Sequence, residues 1–210
     1  TGPIMIDNFK GKFLFLSNFW PCPIEFDGEQ YPSVEHAYQA AKTDNADYKY
    51  YIQRASTAKV AKKRGHEIPK EFFKANWDEI KVEIMRELVR LKFTTDNNLA
   101  IKLLETGDAV LVEGNWWGDT FWGMCDGKGK NHLGKILMDV RNELQSGGEQ
   151  GTRGNLGNST DRVVGEPIFS NTIENRRLDS IQLENAAQQI QESYYSIFPG
   201  SNNSWYGLIR

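Results

Sequence analysis

Residues 146–160 form an unbroken run of fifteen with five glycines and a single apolar side chain, Leu156. A stretch of that kind buries almost nothing and reads as a flexible linker. The core must therefore come from what precedes it. Composition changes at the same place, since no lysine follows Lys135. The chain divides on this reading into a main domain over 5–145, a Gly-rich linker over 146–165 and a C-terminal extension over 166–210. Within the extension Leu183, Ala187, Ile190, Tyr194 and Ile197 recur at helical spacing, giving one amphipathic helix. A lone amphipathic helix is unstable in water, so this arm is expected to dock on the domain or on a partner molecule. Its Arg176-Arg177 pair and its Tyr194, Tyr195, Trp205 and Tyr206 also suit oligomerisation or a nucleic-acid platform.

The main domain reads as α+β and helix-rich. Lys12-Phe13-Leu14-Phe15-Leu16 is an apolar run expected to be a strand. A hairpin follows, with Ile24-Glu25-Phe26 and Glu29-Gln30-Tyr31 joined at Asp27-Gly28, the pair that supplies the positive φ angles of a type I′ turn. Ser33 then caps a helix to about Thr43 whose apolar stripe is Val34, Ala37, Tyr38 and Ala41. Further helices are predicted over 46–54, from Thr57 to a stop at Gly65, from Asn76 to near Phe93, and over 98–105 before Gly107. Asp78 and Glu79 suit the first turn of the long helix. Residues 109–113 read as a buried strand, and Asn131 is expected to cap a last helix ending at Leu144.

Several classes are excluded or disfavoured. The chain carries 25 Lys+Arg against 28 Asp+Glu, a net charge of −3. Duplex affinity depends on neutralising phosphates, so this balance argues against a strongly basic nucleic-acid coat while allowing a local patch. No run of about 18 apolar residues is present, which speaks against a membrane span. Thr1-Gly2-Pro3-Ile4 lacks a secretory n- and h-region and reads as a remnant ahead of a native Met5. Cys22 and Cys125 stand apart, as do His36, His66 and His132, so neither a zinc knuckle nor another metal site is expected. The cysteine usage fits a reducing, cytoplasmic setting.

Two clusters could do chemistry. Glu35, Gln39 and Lys42 fall at i, i+4 and i+7 and share one side of the helix after the hairpin. Spacing alone reads as a solvated face. Placement in the first turn favours an ionised Glu35, and a carboxylate at the base of a cleft can stabilise a developing cation. The second cluster is the loop from Glu113 to Gly123, with Trp116, Trp117, Asp119 and Trp122, followed by Gly127-Lys128-Gly129-Lys130-Asn131. Glycines let backbone approach a ligand and indoles make flat walls, or the tryptophans plug the core and Asp119 caps a turn. Lys128, Lys130 and a helix start at Asn131 make a candidate anion site, though no Walker pattern is present. Trp77 reads as a structural staple, Lys92 as an exposed lysine meeting a helix C-terminus, and Lys59, Lys62, Lys63 and Arg64 as a solvated helix face or a short basic lip.

A resemblance covers residues 9 to 144. Its motifs are Leu16-Ser17-Asn18-Phe19, Phe26-Asp27-Gly28, the run from Ser33 to Lys42 with Glu35-His36-Ala37-Tyr38-Gln39, Asn76-Trp77, Leu91-Lys92-Phe93 and Leu103-Leu104-Glu105-Thr106-Gly107-Asp108. Leu111-Val112-Glu113, Asp119, Trp122-Gly123, Gly129-Lys130-Asn131-His132-Leu133-Gly134 and Leu137-Met138-Asp139-Val140-Arg141 continue it in order. Together they resemble the NADAR (YbiA-like) domain, which implies a compact, helix-rich α+β fold with a small sheet. It also implies an N-glycosidase acting on ribose-linked nucleobase-like substrates and needing no cofactor. One branch of the family removes ADP-ribose from the amino group of guanine in DNA or RNA, in some cases as the antitoxin to a DNA ADP-ribosyltransferase toxin. Another cleaves ribosylamino-pyrimidine intermediates of riboflavin synthesis. The resemblance assigns Glu35, Lys42 and Asp119 to catalysis and Trp77 to the substrate. Asn76 stands where the family pattern has Asp.

Glycosidic cleavage needs an anion near the anomeric carbon, a proton for the leaving nitrogen and a placed water. Glu35 and Asp119 are the expected carboxyl pair, in either order. Lys42 would hold a phosphate or attack a ring-opened C1 to form an imine. Trp77, Gln39, Trp122 and Gly123 would line the sugar or base, and Lys128, Lys130 and Asn131 would hold the pyrophosphate. A non-catalytic reader of ADP-ribose or NAD is the competing class, and intact Glu35, Lys42 and Asp119 speak for an enzyme.

Overall fold

In the computed structural model residues 2–150 are described, with side chains through Gly147. The linker beyond Gln150 and the extension over 166–210, with its expected helix, lie outside the described residues. Chain order begins with a short strand β1 (Met5–Ile6), a 3-10 turn over Gly11–Leu16, and a hairpin of β2 (Pro21–Phe26) and β3 (Glu29–Ser33). Asp27 and Gly28 take φ of 53° and 78°, the type I′ requirement, and Phe26 sits opposite Glu29. The run Lys12–Leu16 is thus helical and not the expected strand. A short apolar run has no period to decide between the two. What decides here is tertiary: the 3-10 turn buries Phe15 and Leu16 and aims the Phe15 and Ser17 carbonyls at Lys92 Nζ, 2.6 and 2.8 Å away.

The hairpin runs directly into α1 (Val34–Ala40), with Ser33 as N-cap accepting the His36 N–H at 3.2 Å. Every residue of α1 is buried. A helix buried on all sides needs neighbours on every face. They are β3, α2 (Ala46–Gln53), α3 (Ala58–His66) and α4 (Trp77–Thr95). His36 spends both ring nitrogens internally, on Ser33 Oγ at 2.7 Å and on the Ala55 carbonyl at 2.9 Å, and burial pushes its pKa down. It is a brace between α1 and the link that joins α2 to α3.

Helix α4 runs through the middle. Its Met85, Leu88, Val89 and Phe93 meet Leu99 and Leu103 of α5 (Asn97–Glu105) and Leu133, Ile136, Leu137 and Val140 of α6 (His132–Gln150) in one core. Arg86–Asp139 at 2.8 Å and a two-point Arg90–Glu143 pair fasten α4 to α6 along the surface. Helix α6 continues past the expected end at Leu144 into residues read as linker. Strand β4 (Val110–Leu111) pairs in parallel with β1, and β5 (Gly114–Asn115) with β6 (Met124–Cys125). Among the described residues the strands form three two-stranded ribbons, in a mixed, helix-rich α+β fold.

Two expectations fail for the same reason: polar side chains are used as internal ties. Lys92 is 1 % exposed, not a surface lysine at a helix end. Asn131 does not cap α6. It takes φ of 51°, accepts the Glu113 N–H at 3.0 Å and donates to the Leu111 carbonyl at 2.9 Å, binding the start of α6 to β4. Among the described residues no helix is long and apolar enough to cross a membrane.

Candidate active site

Glu35, Gln39 and Lys42 lie on one side of α1 and its final turn, as their spacing requires, but that side is not solvated. Their exposures are 6, 2 and 8 %. Helix α3 covers them, and it comes close because residue 65 is glycine: a Cβ there would overlap the Gln39 side chain. Gln39 Nε2 donates to Glu35 Oε1 at 2.7 Å, and the Glu35 N–H is tied to the Asn18 carbonyl at 3.1 Å. Gln39 Oε1 has no hydrogen-bond partner.

Burial dominates the ionisation of both charged groups. It pushes the Glu35 carboxyl up, partly offset by Lys62, by the Gln39 amide and by Lys42. It pushes the Lys42 ammonium down, with Glu35 opposing and Lys62 and Lys81 reinforcing the shift. Lys42 Nζ lies 5.5 Å from the Tyr38 ring centre and 5.9 Å from that of Phe73. The Tyr38 ring in turn meets Trp77 at 5.2 Å and Trp122 edge-on at 5.6 Å. Tyr38 is the hub. Burial and then the negative charge of Glu35 hold its hydroxyl well above the usual phenol range, and Asp119 adds to the same effect.

Asp119 enters from the loop between β5 and β6. Its Oδ1 accepts the Phe121 and Trp122 N–H groups at 3.0 and 2.9 Å, while the Asn115 amide clasps its backbone on both sides. The turn-capping reading of this residue holds, and the cap orients Trp122 toward Tyr38. Glu113, the first residue of the Gly- and Trp-rich cluster, belongs to the same group. Burial raises its carboxyl to about 8, with Asp119 and Glu35 adding to the rise and Lys62 opposing it. Gly123 makes room for it, since a Cβ at 123 would overlap the Glu113 carbonyl and Oε2. Three carboxyl groups and the ammoniums of Lys42 and Lys62 therefore feel one another across α1, α3 and the β5–β6 loop. Among the described residues no His, Cys, Asp and Glu side chains gather in a metal-holding group.

Other expected contributors sit differently. Trp77 opens α4 at 6 % exposure, between Tyr38 and Phe73, and forms the floor of the site. The proposed pyrophosphate cradle at the start of α6 is not available as expected. Its Asn131, His132 and Leu133 N–H groups already bond the Gly123, Phe121 and Trp122 carbonyls. Lys128 lies exposed on a turn closed by two backbone bonds with Cys125. Lys130 is exposed but reaches the Phe121 ring, 5.6 Å from its centre, where Lys81 of α4 also sits at 4.3 Å. Lys62 and Lys81, not Lys128, are the cations nearest in effect to Lys42. Two open surface grooves, of about 580 and 590 Å³, run beside Tyr31 and Arg54 and along the outer face of α4 from Ile80 to Thr94. Neither is lined by Glu35, Lys42 or Asp119.

Glu113 and Lys62 join the candidate site without a catalytic assignment from the sequence. The signal for Glu113 was an acid ending a buried strand beside a Gly- and Trp-rich loop. For Lys62 nothing local distinguished it from Lys59 and Lys63.

The chain is 45% identical over 132 residues to the riboflavin biosynthesis protein VVA0006 of Vibrio vulnificus, covering 62% of this chain and 35% of that one. It thus spans about a third of that relative. It is 40% identical over 130 residues to the N-glycosidase YbiA of Escherichia coli K12, covering 61% of this chain and 80% of that protein. The NMR structure of E. coli YbiA superposes with a TM-score of 0.63 at 33% identity, over 75% of this chain and 94% of the other. The family model described as the NADAR domain matches residues 7–145, and the chain is a member of that family.

Proposed function

We propose that this N-glycosidase cleaves the bond between ribose C1 and the amino nitrogen of ADP-ribosylated guanine in DNA or RNA. The observation that carries the reading is the burial of Glu35, Gln39 and Lys42 on one side of α1, with Lys42 Nζ over the Tyr38 ring and Tyr38 packed on Trp77 and Trp122. Breaking a ribosyl C–N bond builds positive charge on the sugar and negative charge on the leaving amine. A buried carboxylate is worth more against such a cation than one in water. Glu35 and Asp119 supply the anion and the base for water. Lys42, its ammonium disfavoured by burial, is suited to attack a ring-opened C1 or to anchor a phosphate as a point charge. Lys62 and Lys81 extend that positive field toward a diphosphate.

A nucleic-acid substrate is favoured by the surface around the site. Helix α3 carries Lys59, Lys62, Lys63 and Arg64 with no acid between 58 and 66, and Trp116 and Trp117 are exposed on the loop that brings Asp119. Lysines contact phosphates and exposed indoles stack on bases, and a modified base presented out of the helix needs only a short basic lip. A DNA ADP-ribosyltransferase would generate such a substrate and be the functional partner. A second reading, cleavage of ribosylamino-pyrimidine intermediates of riboflavin synthesis, is favoured by the name of the Vibrio relative. That name covers a chain about three times as long as the matched part.

The deciding experiment incubates the protein separately with a guanine-ADP-ribosylated oligonucleotide and with the ribosylamino-pyrimidine and follows release by mass spectrometry. Free ADP-ribose and an unmodified oligonucleotide are expected. Turnover of the pyrimidine alone reverses the order of the two readings.

A further inference from the structure

Glu113 is a carboxyl group without an assigned task. Its Oε2 is buried and meets no hydrogen-bond donor. It lies against Gly123 in a space that any larger residue at 123 would fill, with the Asn115 amide on the same side. Its backbone N–H is pinned by Asn131, so the strand end that carries it cannot swing away. The charged groups that face it are Asp119 from the β5–β6 loop, Lys62 from α3 and Glu35 from α1. Two of the three are acids. A carboxyl in such company, with no donor on one oxygen, is far more stable as the neutral acid than as an anion. Asp119 contrasts with it, for two N–H groups converge on its Oδ1. Within one site the protein thus gives one carboxyl two N–H donors and leaves an oxygen of another with none. Separated environments of this kind are how acid and base duties are divided.

We propose that Glu113 is the proton donor of the site, protonating the amine that leaves when the ribosyl C1–N bond breaks. The inference rests on the glycosidase reading above. In the step, the C1–N electron pair moves onto nitrogen as the Glu113 proton arrives there. Water adds to C1, and its proton passes to the carboxylate of Asp119 or Glu35. Loss of that proton to solvent and uptake of one by Glu113 restore the starting state, so the sum is addition of one water across one bond. Glu35 and Asp119 are then both free to act as anions, which a two-carboxyl scheme does not permit.

The test has two arms, both on the full chain. In the first, the carboxyl carbons of glutamate are labelled with carbon-13 and titrated by NMR, the Glu113 resonance being identified by its loss in both Glu113→Gln and Glu113→Asp. A midpoint above 7 is expected, and a midpoint between 4 and 5 overturns the proposal. In the second, kcat/KM is followed against pH on whichever ribosylated substrate the wild type cleaves. The wild type should lose activity on an alkaline limb near pH 8. Glu113→Gln should lower the neutral-pH rate by about 10²-fold or more and abolish that limb, while Glu113→Asp restores part of the rate and a limb. A Gln variant that keeps the limb, or keeps the rate, overturns the proposal. The first arm needs no substrate, so a wild type that cleaves neither ribosylated compound defeats the glycosidase reading, whereas a low midpoint defeats only the role of Glu113.

Discussion

Gln39 donates its side-chain amide to Glu35 Oε1 at 2.7 Å, and the pair stays dry because Gly65 on the neighbouring helix leaves room for it. An acid one turn upstream of an amide is a common helix-surface pair. Here a single glycine, 26 residues downstream of Gln39, turns it into the centre of a buried charge cluster.

Gly65→Ala tests that arrangement. The added methyl overlaps Gln39, which is held by Glu35 and cannot retreat into solvent. Overpacking of this kind costs about 1–3 kcal/mol. Thermal melting should show the loss, and activity should fall by more than the melting shift explains because Glu35 is displaced.

Glu35→Gln should remove turnover, by about 10²–10⁴-fold, with the fold intact. Burial raises the Glu35 pKa, so its charge is a cost to the folded state. An amide of the same shape removes that cost, and the melting temperature at neutral pH should hold or rise. Near-wild-type kcat would take Glu35 out of the mechanism.

Asp119 combines a cap with a charge, and two substitutions separate them. Asp119→Asn keeps an oxygen for the Phe121 and Trp122 N–H groups and should fold normally yet lose activity. Asp119→Ala loses the cap as well and should melt earlier, by about 1 kcal/mol of stability. Equal activity in Asn and wild type would reduce Asp119 to a turn former.

Lys92 ties the 3-10 turn to α4, and the next carbonyl, that of Asn18, receives the Glu35 N–H. Lys92→Met leaves two carbonyls short of a donor and should destabilise by about 1–3 kcal/mol, read by denaturant unfolding. Burial lowers the Lys92 pKa to about 7. The unfolded chain therefore holds this proton more tightly, and the wild-type lysine costs most below pH 7. The deficit of the Met variant should accordingly be smaller at pH 6 than at pH 9.

Glu113 has the opposite sign. Its folded pKa of about 8 lies above the usual 4.5. The folded state holds this proton more tightly, so the stability it contributes is complete below about pH 4.5 and is lost as pH rises toward 8. Glu113→Gln should flatten the fall in melting temperature between pH 5 and 8. An unchanged slope would show that the wild-type carboxyl is already ionised.

Local chemistry made much of the fold legible. The Asp27-Gly28 turn, the Ser33 cap and the acidic first turn of α4 are short-range devices, and each stands where its residues indicate. What stayed hidden depends on distant partners. Lys12–Leu16 became a 3-10 turn because a lysine some 80 positions away needed its carbonyls. Glu35, Gln39 and Lys42 read as a polar face because nothing near them announces that α3 will cover it. Asn131 looked like a helix cap, and only the parallel β1–β4 ribbon shows why its amide turns to Leu111 and Glu113. In the candidate site the resemblance located Glu35 and Lys42 on one segment and Asp119 on another. Their electrostatic coupling, and the company of Glu113, required the fold.

The most direct measurement is product analysis after incubation of the wild type and Glu35→Gln with an oligonucleotide bearing ADP-ribose on guanine, run beside the pyrimidine ribosylamine. The account expects the wild type to yield free ADP-ribose and intact guanine, and the variant to leave the adduct in place. Both compounds recovered unchanged from the wild type would contradict it.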